Sequence, residues 1–272
     1  MTDRYAVIGH PIEHSLSPRI HAAFARETGQ ALTYERTLGD PEQFEQQVRD
    51  FFRQGGRGMN VTLPFKKRAW DLVQARNPAA ELAGAVNTLL PLPDGGLRGE
   101  NTDGIGLVRD LRDNHHFSFA GKQVLLLGAG GAARGILGPL LETGLDGLTI
   151  ANRTVEKALA LAEYFAAQGP VRSCGFEALA GENFDLILNA TSAGLAGEMP
   201  PIPPCLKAGG WVYDLFYNRQ EPTPFCRWGA AQSAAKTIDG LGMLVEQAAE
   251  SFFLWRGVRP STAPVIAALR DS

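Results

Sequence analysis

Short apolar runs recur along the chain at residues 5–8, 33–37, 58–61, 86–90, 123–127, 148–151, 185–188 and 211–215, and amphipathic stretches separate them. Strands that alternate with helices of about ten to fifteen residues form βαβ units and a mostly parallel sheet. The spacing therefore predicts an α/β fold. Two segments dense in Gly and Pro, 91–96 and 195–204, read as loops. Residues 104–113 read as a helix, and the polar stretch 115–121 precedes a fresh apolar strand, which puts a domain boundary near residues 104–120.

Composition narrows the class. A chain of 272 residues that is 44% hydrophobic can bury a substantial core, and its length favours two domains over one. With 26 basic against 29 acidic residues, the formal charge of −3 offers no electrostatic footprint for nucleic acid or an anionic membrane surface. The three cysteines, Cys174, Cys205 and Cys226, are widely spaced and lack CxxC spacing, so neither a disulfide framework nor a zinc site is expected. The apolar run at 5–8 is too brief for a signal peptide, and no stretch approaches a membrane span. The expectation is a soluble, cytoplasmic protein without a metal.

Candidate chemistry begins at the strand 123–127, which runs into Gly128-Ala129-Gly130-Gly131-Ala132-Ala133 and then into an apolar helical segment. This is G-x-G-x-x-A between a strand and a helix, where small residues let backbone amides approach a pyrophosphate at the positive helix end. The next strand ends about 20 residues on, where NAD sites usually carry an acid for the ribose hydroxyls. Here the chain offers Asn152-Arg153-Thr154, with Lys157 one turn further. Arg can grip a 2′-phosphate through its planar fork and Lys adds a point charge, so NADP is favoured over NAD. Thr191 and Ser192 follow the third strand of this half and are candidates for cofactor contacts, although polar residues after strands also serve turns.

The first hundred residues gather hydroxyls, amides and charges at apparent strand ends. Ser17 before Pro18 reads as a helix N-cap, and Ser15 beside it makes a pair of hydroxyls suited to a small carboxylate. Pro64 ends the strand near 58–62 and starts a helix, so the first-turn lysine is a candidate proton donor. Periodicity does not choose between Lys66 and Lys67. The stretches 83–88 and 99–104 add amides, hydroxyls and the carboxylate of Asp103, each of which could equally be a turn or cap. Together such groups suit a small polyhydroxylated acid, because a site built to bond substrate hydroxyls gains discrimination from each one.

The stretches "VIGHPIEHSLSPRIH", "GMNVTLPFK", "AGAVNTL", "GENTDGIG", "LLLGAGGAARG", "ANRT", "NATSAG" and "DGLGMLVEQAA" resemble, in order and spacing, the shikimate dehydrogenase family over essentially the full length. The resemblance implies reversible NADPH-dependent reduction of 3-dehydroshikimate to shikimate. It selects Lys66 as the catalytic lysine and Asp103 as its partner. It also implies that Ser15 and Ser17 hold the substrate carboxylate, and that Asn60, Thr62, Asn87, Gln247 and Tyr217 bind the ring and its hydroxyls. On the cofactor side it assigns Gly128, Ala129, Gly130, Gly131 and Ala132 to the pyrophosphate, and Asn152, Arg153, Thr154 and Lys157 to the adenosine phosphate region. Thr191, Ser192 and Leu215 join the cofactor set, with Gly240 and Met243 near the nicotinamide.

The implied architecture is an N-terminal α/β substrate domain, residues 1–103, completed by C-terminal helices at 240–272. A Rossmann-type, doubly wound parallel-sheet NADP domain occupies 104–239, and the chemistry belongs to the cleft between them. Ala22 and Arg219 depart from the Asn and Pro that the family often shows at those places. The rival readings are a quinate/shikimate dehydrogenase paralogue using NAD or NADP, and a non-catalytic ligand sensor. Oligomeric state is not legible in the sequence, a homodimer being one option.

Overall fold

A computed structural model describes residues 2–271, and its chain divides into two compact units, Met1–Gly106 with Leu244–Asp271, and Leu107–Met243. In the first unit β1 (Asp3–Gly9), α1 (Ser17–Thr28), β2 (Leu32–Leu38), α2 (Phe44–Arg53) and β3 (Gly56–Val61) make two crossovers, with β2 and β3 both parallel to β1. β1 is buried without interruption from Tyr5 to Gly9, as a strand covered on both faces must be.

α3 (Lys66–Leu72), β4 (Ala75–Arg76), α4 (Pro78–Ala83), β5 (Thr88–Pro91) and β6 (Leu97–Glu100) complete a six-stranded sheet in the order β2-β1-β3-β5-β6-β4. This sheet is mixed: β1–β2, β1–β3 and β4–β6 pair parallel, in keeping with the mostly parallel arrangement that the alternation of runs predicts, while β5 departs from it. β5 is antiparallel to both β3 and β6. The reason is the turn at 92–96, where Gly95 adopts φ +86° and Leu92 N–H donates to Gly96 O at 2.8 Å. So short a connection can join only antiparallel strands.

The core of this unit joins Ile8, Phe44, Val61, Phe65 and Leu89, with the Phe44 and Phe65 rings stacked at 4.6 Å. On the α1 side lies a second aromatic cluster. α5 (Asp103–Arg109), which leads out of this unit, is followed by a π turn, Asp110–Asn114.

The second unit holds β7 (Gln123–Leu127), α6 (Gly131–Leu141), β8 (Gly147–Ala151), α7 (Val155–Phe165), β9 (Val171–Cys174), β10 (Phe184–Asn189), β11 (Leu206–Asp214), α8 (Pro224–Ala231) and β12 (Lys236–Asp239). All six strands are parallel, in the order β12-β11-β10-β7-β8-β9. Numbered within the unit this is the doubly wound order 3-2-1-4-5-6, which reverses between β7 and β10. The central strands read as continuous apolar runs because helices cover both faces; Leu125, Leu126 and Leu127 are fully buried.

The chain then enters α9 (Leu241–Arg256) and α10 (Ala263–Arg270). Within the first unit, α9 lays Phe252 against Phe24 at 5.7 Å and Trp255 against Tyr5 at 4.9 Å. Trp255 Nε1 also donates to Leu89 O at 3.1 Å, and a Cβ on Gly58 would stand 2.4 Å from the indole, so this helix needs glycine there. Among the described residues no helix is long and apolar enough to cross a membrane, and no cluster of His, Cys, Asp or Glu could hold a metal.

Candidate active site

α3 begins at Lys66, directly after the cis Leu63–Pro64 bond and Phe65, so the lysine side chain leaves the very first helical position. α5 begins at Asp103. Lys66 Nζ donates to Asp103 Oδ2 at 2.6 Å, and the two side chains keep 27% and 16% of their exposure, so the pair is partly desolvated yet reachable. Asn87 Nδ2 donates to Asp103 Oδ1 at 2.8 Å. With one oxygen held by an amide and the other by an ammonium, the carboxylate has a single orientation.

Neighbouring groups fix Asn87 in turn. Its Oδ1 accepts from Thr102 N–H at 3.0 Å and from Thr88 Oγ1–H at 2.9 Å, and Gln247 Oε1 stands 3.4 Å from both Asn87 Nδ2 and Thr102 Oγ1. Asn60 is 7% exposed and its amide is engaged by protein partners. Its Nδ2 donates toward Asn87 O, Thr88 Oγ1 and Ser251 Oγ at 3.0–3.1 Å, while Oδ1 accepts from the Tyr34 hydroxyl at 2.6 Å. Thr62 closes the end of β3, its N–H donating to Ile8 O at 2.9 Å.

The other two cations of the Lys66-Lys67-Arg68 run face elsewhere. Lys67 pairs with exposed Asp71 at 2.5 Å, and Arg68 lies over the Phe44 and Phe65 rings while forking onto Glu45. That fork holds the Glu45 carboxyl below its ordinary range.

Ser17 does not cap α1 as the sequence suggests. The helix starts at Ser17 itself, and Leu16, which occupies the cap position, offers no side-chain cap. The Ser15 hydroxyl takes over part of that work, accepting from Ser17 N–H at 3.3 Å and donating to Ser17 Oγ at 3.2 Å. Two hydroxyls and the open first turn of a twelve-residue helix thus share one spot, which suits an anion.

In the second unit, Gly128 follows β7 with φ +102°, and a Cβ on it would lie 3.0 Å from Ala190 O and 3.2 Å from Thr191 N. The turn therefore runs against the end of β10, at the point where the strand order reverses. Gly130 and Gly131 face open space, and no side chain caps the first amides of α6. Asn152 Nδ2 donates to Thr154 O at 2.8 Å and shapes the start of α7, beside which Arg153 and Lys157 are exposed. Among the described residues neither cation enters an ion pair. Uncapped amides at one helix start and two unpaired cations beside the next fit a dinucleotide that carries an extra phosphate.

Thr191 N–H and Oγ1–H both donate to Asn189 Oδ1, at 3.1 and 2.7 Å, and Ser192 beside it is exposed. Gly240 passes so close to the backbone of Leu215 that a Cβ would sit 2.1 Å from Leu215 O. Met243 N–H donates to the Tyr213 hydroxyl at 3.3 Å, and that hydroxyl donates to buried Asp110 at 2.7 Å. Tyr217 belongs to this second unit, unlike the other residues assigned to substrate, and burial pushes its hydroxyl pKa up.

Thr88, Thr102, Ser251 and Tyr34 organise the first unit's polar network; the sequence marks Thr88 and Thr102 only as hydroxyls within the stretches 83–88 and 99–104, and marks Tyr34 and Ser251 not at all. Thr102 stands inside the Asn101-Thr102-Asp103 motif and was within reach. Tyr34 and Ser251 lie 26 and 191 positions from Asn60, which they bond, and nothing in their own surroundings marks them.

Known proteins carry the same ordered segments. A model of the shikimate dehydrogenase substrate binding domain matches residues 7–89, one of shikimate / quinate 5-dehydrogenase matches 111–196, and one of the shikimate 5′-dehydrogenase C-terminal domain matches 240–270. The chain is 59% identical over 268 residues to the shikimate dehydrogenase (NADP(+)) of Methylococcus capsulatus, covering 98% of this chain and 96% of the relative. Among solved structures it resembles an Ael1 enzyme from Pseudomonas putida, with TM-score 0.92, 46% identity and 98% of each chain covered. It also resembles shikimate 5-dehydrogenase from Thermus thermophilus in complex with NADP(H) and shikimate, with TM-score 0.88, 36% identity and 99% of each chain covered. Identity at this level across nearly the whole length, on the same two-unit α/β fold, means that the chain belongs to the shikimate dehydrogenase family.

Proposed function

We infer that the chain catalyses the reversible NADPH-dependent reduction of 3-dehydroshikimate to shikimate, a step in aromatic amino-acid biosynthesis. Residues 1–103 with 240–272 form the substrate part in this reading, and residues 104–239 the cofactor part. Bound NADPH supplies a hydride to the ketone carbon. The chain's own residues do the rest. The Lys66 ammonium gives a proton to the oxygen that gains charge as the carbonyl π bond breaks, and Asp103 holds that ammonium in place. In the reverse direction the proton returns to the Lys66–Asp103 pair.

Ser15 and Ser17 take the carboxylate, and Asn87, Gln247, Thr62 and Asn60 read the ring hydroxyls, a role also assigned to Tyr217. Gly128–Gly131 with Ala132 would hold the pyrophosphate, Arg153 and Lys157 the 2′-phosphate, and Gly240 and Met243 the nicotinamide end. The reading places the enzyme in the cytoplasm.

The observation that supports it most is the 2.6 Å contact between Lys66 Nζ and Asp103 Oδ2, since a site that only binds has no use for a paired proton donor. The test is the rise of nicotinamide absorbance when purified protein meets shikimate and NADP⁺. Turnover with a kcat/KM well above that for NAD⁺ is expected. No turnover at high enzyme concentration, with shikimate still bound in calorimetry, would indicate a ligand sensor, and equal values for the two cofactors a quinate/shikimate paralogue.

A further inference from the structure

β2 is an edge strand of the first sheet, and side chains two apart on a strand share a face. On one such face stand Tyr34 and Arg36. Tyr34 reaches Asn60, as described. Arg36 reaches the serine pair: its Nε donates to Ser15 O at 3.0 Å and its Nη2 to the same oxygen at 2.6 Å. Arg36 is exposed and enters no ion pair among the described residues, so its positive charge is not cancelled locally. Two of its five N–H donors are spent on Ser15 O, which leaves three.

The Ser15 carbonyl belongs to the same residue whose hydroxyl bonds Ser17, and its negative end would repel an arriving carboxylate. Two charge-assisted hydrogen bonds from a guanidinium cover that oxygen and replace its field with a positive one. They also tie the loop, so the Ser15 hydroxyl stays over the start of α1.

We propose that Arg36 is a specificity-determining residue: pinned to Ser15 O by two hydrogen bonds, it supplies the fixed positive charge by which the serine site selects substrates carrying a carboxylate over neutral ones. This rests on the reading that Ser15 and Ser17 receive the carboxylate. Arg36 acts as a positioning residue for Ser15 and as a field source, without taking part in the proton step.

The test compares shikimate with its neutral methyl ester as substrates for the wild type, Arg36→Gln and Arg36→Lys. The wild type is expected to favour the acid in kcat/KM. In Arg36→Gln that preference should fall roughly two- to five-fold, the scale of a partly exposed ion pair, chiefly through KM for the acid. Arg36→Lys, which keeps the charge but loses the fork, should retain part of the preference. Loss of loop order alone would lower both substrates equally and leave the ratio unchanged, which would overturn the proposal.

A second measurement needs no variant. The wild-type acid-to-ester ratio should decline as salt rises, because exposed charge is screened within about 10 Å at 0.1 M; a flat ratio would also overturn the proposal. If the wild type turns over neither substrate, the underlying function fails rather than this inference.

Discussion

His21 gives a stability prediction that follows from packing alone. The residue lies on the buried face of α1, 1% exposed, with its ring stacked on Tyr34 at 4.1 Å and flanked by Phe24, Trp255 and Phe252. Neither ring nitrogen makes a well-formed hydrogen bond in this aromatic cage, and the Asn60 side chain nearby offsets only part of the cost of burial. Burial disfavours the imidazolium and pushes its pKa from 6.5 down to about 3. The unfolded chain therefore binds a proton below pH 6.5 that the folded chain refuses until about pH 3. Stability from this residue is complete above the unfolded value and is lost as pH falls through that window, with a slope of about 1.4 kcal/mol per unit. From about pH 7.5 to about pH 5 the loss integrates to about 2 kcal/mol, a large share of a typical domain's stability.

The comparison is equilibrium urea unfolding of wild type and His21→Phe at those two pH values. Phenylalanine keeps an aromatic ring in the cage and cannot titrate. The wild type should lose about 2 kcal/mol relative to the variant between the two conditions. Parallel losses in the two proteins would mean that His21 carries or shares a proton in the folded state, and the reasoning from burial would be wrong.

Two further substitutions probe the second unit. Arg153→Gln should raise KM for NADPH about ten-fold while leaving NADH nearly unaffected, since only the former offers a 2′-phosphate to the fork; steady-state kinetics with both cofactors reads this directly. Gly240→Ala places a methyl 2.1 Å from Leu215 O, and because the obstacle is backbone the strand end must shift. A loss of about 1–3 kcal/mol in urea unfolding is expected, and a variant as stable as wild type would show that this close approach relaxes freely.

The readable parts of the molecule were those whose signals are contiguous. The glycine turn sits between its strand and its helix within 14 residues, Val124–Leu137, so periodicity, small residues and position reinforce one another. β6 was not legible because Leu97-Arg98-Gly99-Glu100 carries a single apolar residue; the short 92–96 turn fixes its antiparallel pairing with β5. The cap of α1 shifted by one residue because Leu16 takes the position that Ser17-Pro18 suggests, with Ser15 bonding inward from outside the helix.

The contact of Lys66 with Asp103 spans 37 positions. Residue chemistry marked both as polar groups at strand ends, and only resemblance joined them, because no local pattern encodes which two loop ends meet. Tyr34 and Arg36 are ordinary alternation on an edge strand until the fold sets them against Asn60 and Ser15.

The most direct trial of the proton role is Lys66→Ala, followed by stopped-flow kcat with 3-dehydroshikimate and by calorimetry with NADPH. Removing the donor should lower kcat by about 10²- to 10⁴-fold while NADPH binding stays close to wild type. A kcat within a few-fold of wild type would contradict the assignment of proton transfer to the Lys66–Asp103 pair.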